Sequence, residues 1–300
     1  MNLTGVGFSP DRQDGTAPSG TPGRSARLRT ELKHHPNLVV GGVLAAVVVI
    51  AAITGHLAPP HDPLAINPGH ALLPPGPGHW FGTDQFGRDV FSRVLYGLGI
   101  DVVLGLIAAA LALAVGSMAG LISGYLGGWI DDIVMRVVDI VMSFPAFLLA
   151  LAIAVVLGDT VRNVIIAVTI AYVPYILRLT RSSVLTARSA DYVLGARAVG
   201  ASRSRVMTLH VLPNVVGPSL VQATLMVGWA ILDVSGLSFL GVGIQPPSPE
   251  LGVQVAQGAS YITSGQWWIS VFPGLAIILA VLSFNFLGDY ADDKLRGPGG

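Results

Sequence analysis

Apolar residues gather in six long runs, Leu38 to Leu57 and then roughly 102–126, 137–157, 164–179, 215–240 and 268–287. Each approaches the ~20 residues that an α-helix needs to cross ~30 Å of hydrocarbon. A chain that enters lipid must also satisfy its backbone polar groups within each span, which a helix does. The pattern predicts an all-α membrane protein with six transmembrane helices. The fourth run is short, and the third carries Asp139. One central acid costs roughly 3 kcal/mol on the insertion scale, whereas Val, Ile, Leu and Phe return roughly 0.3–0.6 kcal/mol each. With thirteen of those residues between Val137 and Leu157, the third run still counts as a span.

The segments between the runs set the organisation. Residues 1–36 are rich in Gly, Pro, Ser and Thr and read as a disordered tail, because such a composition buries too little to offset its ordering entropy. With the N-terminus inside, the tail, the 127–136 turn, the 178–213 loop and the C-terminus hold every basic residue except Arg88, Arg93 and Arg162. The positive-inside rule therefore places both termini in the cytoplasm. Residues 37–100 are expected to hold the first span, a Pro-rich outer loop ("LLPPGPGHW") and an interfacial helix over "FGTDQFGRDVFSRVLYG", 81–97. In that stretch Phe86, Val90 and Val94 recur at helical spacing, and Thr83 and Asp84 stand as N-caps. Residues 101–290 carry the other five spans, and 291–300 form a cytoplasmic C-terminal tail.

Composition narrows the function. Apolar residues make up 52% and charged residues 11% of the chain, and mean hydropathy is +0.67, outside the soluble globular range. Seventeen basic residues balance seventeen acidic ones, and nothing points to nucleic acid. The absence of cysteine removes disulfides and thiolate chemistry. Neither lysine, Lys33 or Lys294, follows a glycine, so no phosphate-cradling G-x-x-x-x-G-K-[ST] loop exists and no cofactor site is expected. No H-E-x-x-H occurs, and His34, His35, His56, His61, His70 and His79 lie in tails or near span ends, so no metal-ligand set is expected. No nucleophile, base and metal set converges, and the chain reads as a non-enzyme.

Three features suggest mechanism. Ala108, Ala112, Gly116, Gly120, Gly124 and Gly128 recur every four residues, a small-residue strip on which another helix packs closely. Asp139 and Asp233 lie inside spans, where an ionisable group usually faces a wet cavity or a partner, and are candidate pathway or gating residues. In "DYVLGARAVGASRSRVMTLHVLPN", 191–214, a short helix is ended by a left-handed Gly200, Ser202 caps a second, and Pro213 enters the first turn of the next span. Tyr192, Val193, Ala196 and Val199 make a modest apolar strip, the form of a helix that lies in another protein's groove, while Arg197, Arg203 and Arg205 point their polar heads outward.

That loop resembles the cytoplasmic EAA loop of binding-protein-dependent ABC importer permeases: E-A-A, three residues, Gly, nine residues, Ile, any residue, Leu, Pro. Ala196, Gly200, Leu212 and Pro213 match in register. Leu194 stands at the glutamate, Gly195 at the second motif residue and His210 at the isoleucine. "HWFGTDQFGRDVFSRVLYG", "VVDIVMSFPAFLLALAI" and "GLSFLGVGIQPPSPELG" are similar to the dipeptide, oligopeptide and nickel subfamily, as its second permease subunit type. The resemblance implies a permease of the bacterial plasma membrane whose two short coupling helices, within a coupling loop over 183–214, dock on a separate ATPase. Asp191, Tyr192, Leu194, Ala196, Arg197, Gly200, Ala201, Arg205, His210, Leu212 and Pro213 would form that docking element. Implied partners are a homologous second permease, two ATP-binding subunits that hold ATP and magnesium, an extracytoplasmic solute-binding protein and membrane lipid. Peptides are the implied solute, with nickel chelates or another small solute as the alternative. A rival reading, an ion-coupled secondary transporter, rests on Asp139 and Asp233 with Pro145 and Gly236 nearby.

Overall fold

The computed structural model describes residues 36–296. The tail expected over 1–36 lies outside them except for Pro36, as do residues 297–300. Nine helices are numbered along the described chain: α1 (Pro36–Leu57), α2 (Val90–Leu126), α3 (Gly128–Met142), α4 (Ala146–Leu157), α5 (Val161–Ala187), α6 (Asp191–Ala198), α7 (Leu212–Phe239), α8 (Leu251–Ala259) and α9 (Trp268–Arg296). A turn at Arg203–Arg205 and a π-helical segment at Val206–Val211 lead from α6 into α7. Among the described residues there is no strand, only isolated bridges at Gly76–His79 and Thr83–Asp89.

Among the described residues, five continuous stretches are long and apolar enough to cross a membrane: Val39–Leu57, Val90–Leu126, Val161–Ala187, Arg203–Phe239 and Trp268–Leu295. The expected third span, 137–157, is not one helix. It is divided between α3 and α4, which meet at 91°, so a sixth crossing exists only as this bent pair. The break is local chemistry: Pro145 has no N–H to donate and disfavours helical geometry at Phe144, while the Ser143 hydroxyl donates to the Ile140 carbonyl at 2.6 Å. α9 continues through residues 291–296 of the expected C-terminal tail.

The small-residue strip forms the central contact. Ala108 and Ala112 are fully buried, and Gly116, Gly120 and Gly124 let α2 lie against α5. A Cβ on Gly120 would stand 2.5 Å from the Leu177 carbonyl oxygen and 3.0 Å from the Arg181 nitrogen. Gly128 does not belong to this strip. The chain turns at Gly127 and Gly128, with φ of +65° and +59°, and a Cβ on Gly128 would meet nothing. Beside the strip, Asp131 of α3 accepts from Arg181 of α5 at 2.5 and 2.6 Å and from Ser123 of α2, clamping three helices together.

α1 begins beside the end of α9, Gly41 against Phe286, and finishes beside the start of α2, Gly55 against Leu95. The described ends of the chain thus share the end of the bundle on which α6 lies. At the opposite end, the interfacial helix expected over 81–97 is absent as a separate element. Residues 81–89 form a turn, with Gly82 and Gly87 at φ of +73° and +72°, and α2 starts at Val90 with Asp89, not Thr83 or Asp84, as its N-cap. Asp84 instead holds Arg88 Nε at 2.6 Å and lies 3.7 Å from Arg93 Nε, all three buried. Arg93 also donates to the Pro63 carbonyl at 3.0 Å, and Trp268 Nε1 to the Thr83 carbonyl at 3.1 Å.

One fully buried acid is one that hydropathy places only at a span end. Asp101 has no exposed surface, accepts from the Ser235 hydroxyl at 3.1 Å and faces Glu250. Glu250 caps α8 by accepting from the amides of Gly252 and Val253 at 2.9 and 2.8 Å. Burial pushes the Glu250 carboxyl above its ordinary range, against the pull of those amides. Glu250→Ala is expected to destabilise the fold by at least about 1–2 kcal/mol, the usual cost of a lost N-cap. A detergent thermal-unfolding scan in which the variant matches the parent would remove this role.

Candidate functional site

Two of the cavities among the described residues are lined by residues singled out in the sequence. The first is built by α6 and the turns that follow it. Val193 and Ala196 are buried against Leu121, Tyr125, Val206 and Val211, so they anchor the helix and do not present the outward strip expected of them. The outward apolar side chains are Tyr192, Leu194 and Val199, the last 85% exposed. Asp191 opens the helix and is exposed. Arg197 donates through Nε to the Tyr125 hydroxyl at 3.2 Å, its guanidinium 5.0 Å from that ring's centre.

Gly200 stands at φ +84°, with its N–H bonded to the Arg197 carbonyl at 3.0 Å and the Ala201 N–H to the Ala196 carbonyl at 3.1 Å. This pair of bonds is a Schellman stop. Ser202 then accepts from the Arg205 amide, as its capping role requires. The second coupling helix is not an independent element, because the Arg203–Arg205 turn continues through the π-helical segment into α7. His210 lies in that segment, its carbonyl accepting from Asn214 Nδ2 at 2.7 Å, and Leu212 and Pro213 open α7. Tyr125, Leu126, Arg197, Ala201 and Arg203 line a cavity of about 410 Å³. The arrangement is a short helix held to α2 at its base, with three apolar side chains and a basic rim offered outward.

The second place lies at the break between α3 and α4. Pro145 and Phe147 from the break, Tyr172 and Tyr175 from α5, and Met226, Trp229 and Asp233 from α7 surround a cavity of about 470 Å³. Asp233 is half-buried and accepts from the Tyr172 hydroxyl at 2.7 Å. A carboxylate fixed by one hydroxyl, walled by aromatic rings, is suited to a cation with an apolar body. Asp139 does not share this cavity lining. It lies on the outside of the chain, 64% exposed, paired with Arg178 Nη2 at 2.5 Å. The two aspartates singled out in the sequence therefore have different partners and surroundings.

Two of the histidines that lie apart in the sequence come together with an aspartate. His61, His79 and Asp89 converge with donor atoms all within 4.8 Å of one another. Sequence distance hid them, since two lie in the loop after α1 and the third caps α2.

Comparison with known proteins points to one family. Residues 116–297, more than half of the chain, match the family model described as binding-protein-dependent transport system inner membrane component. A probable D,D-dipeptide transport system permease protein of Escherichia coli K12 is 42% identical over 92% of each chain. A dipeptide transport system permease protein of Alkalihalophilus pseudofirmus is 40% identical over 88% of this chain and 87% of its own. A putative peptide transport system permease protein of Brucella abortus is 42% identical over 88% of both.

Proposed function

The chain belongs to the family of inner membrane components of binding-protein-dependent transport systems, and from that premise we propose that it forms half of a translocation pathway for di- or oligopeptides. The names of its relatives support the solute class, and the observation that carries it is the Asp233 cavity. A peptide arrives with a protonated amino terminus and variable apolar side chains. Asp233, oriented by Tyr172, would receive the ammonium group, while Phe147, Tyr175, Met226 and Trp229 would tolerate many side chains.

In this reading the α6 end faces the cytoplasm, as the basic residues favour. Two ATP-binding subunits with ATP and magnesium dock on α6, a homologous permease supplies the other half of the path, and an extracytoplasmic binding protein delivers the solute. The chain itself binds no cofactor and performs no chemistry. ATP-driven closure of the ATPase pair would reach the transmembrane helices through α6 and Tyr125.

The test is uptake by the whole transporter in proteoliposomes, with a labelled dipeptide beside a nickel chelate. Asp233→Asn is expected to lower dipeptide uptake by about tenfold or more, since a hydrogen bond to a charged group contributes about 1.5–3 kcal/mol. Wild-type rates in the variant would remove Asp233 from the pathway. Transport of the chelate and not of the peptide would replace the solute class.

A further inference from the structure

The segment between α1 and α2, residues 58–89, holds one 3-10 turn, Pro68–His70, and otherwise no helix or strand. An irregular connection of that length inside an ordered structure needs something to hold it, and clips that close long loops gain the most from doing so. Part of the answer is the Asp84, Arg88 and Arg93 cluster. Beside it lies a group of side chains that this ion-pair cluster does not use.

We propose that His61, His79 and Asp89 form a binding site for a divalent transition-metal cation of the zinc class, with one coordination position left open. His79 Nδ1 lies 2.8 Å from Asp89 Oδ1, and His61 Nδ1 lies 3.7 Å from Asp89 Oδ2. In a tetrahedral site with metal–ligand bonds of about 2.0–2.1 Å, neighbouring donors stand about 3.3 Å apart. The two observed distances, one to each carboxylate oxygen, lie on either side of that value, and all three donors stand within 4.8 Å of one another, so side-chain rotations can gather them round one ion.

Two imidazoles and one carboxylate are a donor set that suits zinc and its neighbours and not calcium or magnesium, which take oxygen ligands. The carboxylate is already oriented. Asp89 Oδ2 accepts from the Ser92 amide at 2.8 Å and from the Ser92 hydroxyl at 2.7 Å. The same hydroxyl oxygen accepts from the His61 backbone N–H at 3.0 Å, bringing the two ligand-bearing segments together. Supporting bonds of this kind hold metal ligands in position.

The site also has an approach. Pro60, His61, Gly78, Trp80, Asp89 and Phe91 line a cavity of about 140 Å³, and the His61 side chain is 47% exposed while that of Asp89 is 2% exposed. A cation entering there meets a buried carboxylate at the base and keeps one position toward the cavity for water or an incoming donor. Bound metal would pin the loop to the start of α2, at the end of the bundle opposite α6.

The experiment uses the full-length chain in detergent, purified through a streptavidin-binding tag and stripped with a chelator. His34→Gln and His35→Gln in the background remove the adjacent histidines of the N-terminal segment. Titration with Co²⁺ is followed by its visible absorption, and Zn²⁺ then competes. One equivalent is expected, and His61→Gln and His79→Gln should each weaken binding at least about a hundredfold, the upper end of what loss of a mere supporting partner costs. Zn²⁺ should raise the thermal-unfolding midpoint of the parent and not of either variant. The backbone N–H of His61 bonds to Ser92 whatever the side chain, so His61→Gln should leave the metal-free midpoint in place, and lost binding then reads as a lost ligand. Absence of stoichiometric binding, or binding that survives both substitutions, overturns the site and leaves His79 and Asp89 as a hydrogen-bonded pair.

Discussion

Gly120→Leu is expected to abolish the stable fold, lowering the yield of protease-resistant, monodisperse protein to a small fraction of the parent's. A Cβ at this position falls 2.5 Å from a backbone oxygen, 2.9 Å from Thr180 Cβ and 3.0 Å from a backbone nitrogen of α5. None of these atoms is the end of a flexible side chain, so relief requires the two helices to separate. Separation would also strain the clamp in which Asp131 joins Ser123 of α2 to Arg181 of α5. Overpacking a core costs about 1–3 kcal/mol where neighbours can repack, and backbone contact puts this case above that range.

Two controls give the result its meaning. Gly195→Leu, on the exposed side of α6 with nothing within 4 Å of its Cβ, should be tolerated. Gly128→Leu also meets nothing, and its cost should be only the roughly 1–2 kcal/mol of a left-handed residue. Equal stability of Gly120→Leu and Gly195→Leu in a detergent unfolding scan would show that α2 and α5 do not pack through this strip.

The contrast between Gly120 and Gly128 shows what the sequence could disclose. A repeat of four locates a helix face, and α2 uses that face as expected from Ala108 to Gly124. The repeat carries no mark of where the helix ends, and Gly127 ended it one residue before the last member. The positions of five spans were legible because each needs an apolar run, but their lengths were not: the runs 102–126, 164–179 and 215–240 sit inside the longer stretches Val90–Leu126, Val161–Ala187 and Arg203–Phe239. The bend between α3 and α4 was not legible either, because apolar composition continues across Ser143–Pro145 whether the chain crosses lipid straight or turns inside a bundle. Over 81–89 the apolar spacing was helical while the backbone was not. Gly82 and Gly87, five residues apart around "TDQF", were the available sign of a turn.

What sequence reading missed outright was non-local. Asp101 and Glu250 are separated by almost half the chain, and His61, His79 and Asp89 meet only when the loop folds back on α2. On α6 the caps were read correctly from Gly200, Ser202 and Pro213, but the strip was inverted. Val193 and Ala196 face the body of the protein because Leu121 and Tyr125 of α2 lie beneath them, and no local pattern reveals what lies beneath an eight-residue helix.

That inversion sharpens the other large prediction. If α6 is the lever between ATPase and pathway, its inner face must be rigidly joined to α2 while Tyr192, Leu194 and Val199 engage the ATPase. Arg197→Glu removes the Nε bond to the Tyr125 hydroxyl and the cation over that ring, loosening the join without touching the outward apolar residues. Gly200→Val acts on the stop, because a β-branched residue at φ +84° is strained by about 1–2 kcal/mol or more and disturbs the two bonds that close the helix. In the reconstituted transporter both variants should still co-purify with the ATPase and hydrolyse ATP, yet lose peptide uptake about tenfold or more, a factor equivalent to about 1.4 kcal/mol in the coupled step. Replacing Tyr192, Leu194 and Val199 together by serine should act differently, with the ATPase lost from the purified complex. Normal uptake in Arg197→Glu and Gly200→Val would show that force does not pass through α6 and Tyr125. Retention of the ATPase by the triple variant would place its docking surface elsewhere on the chain.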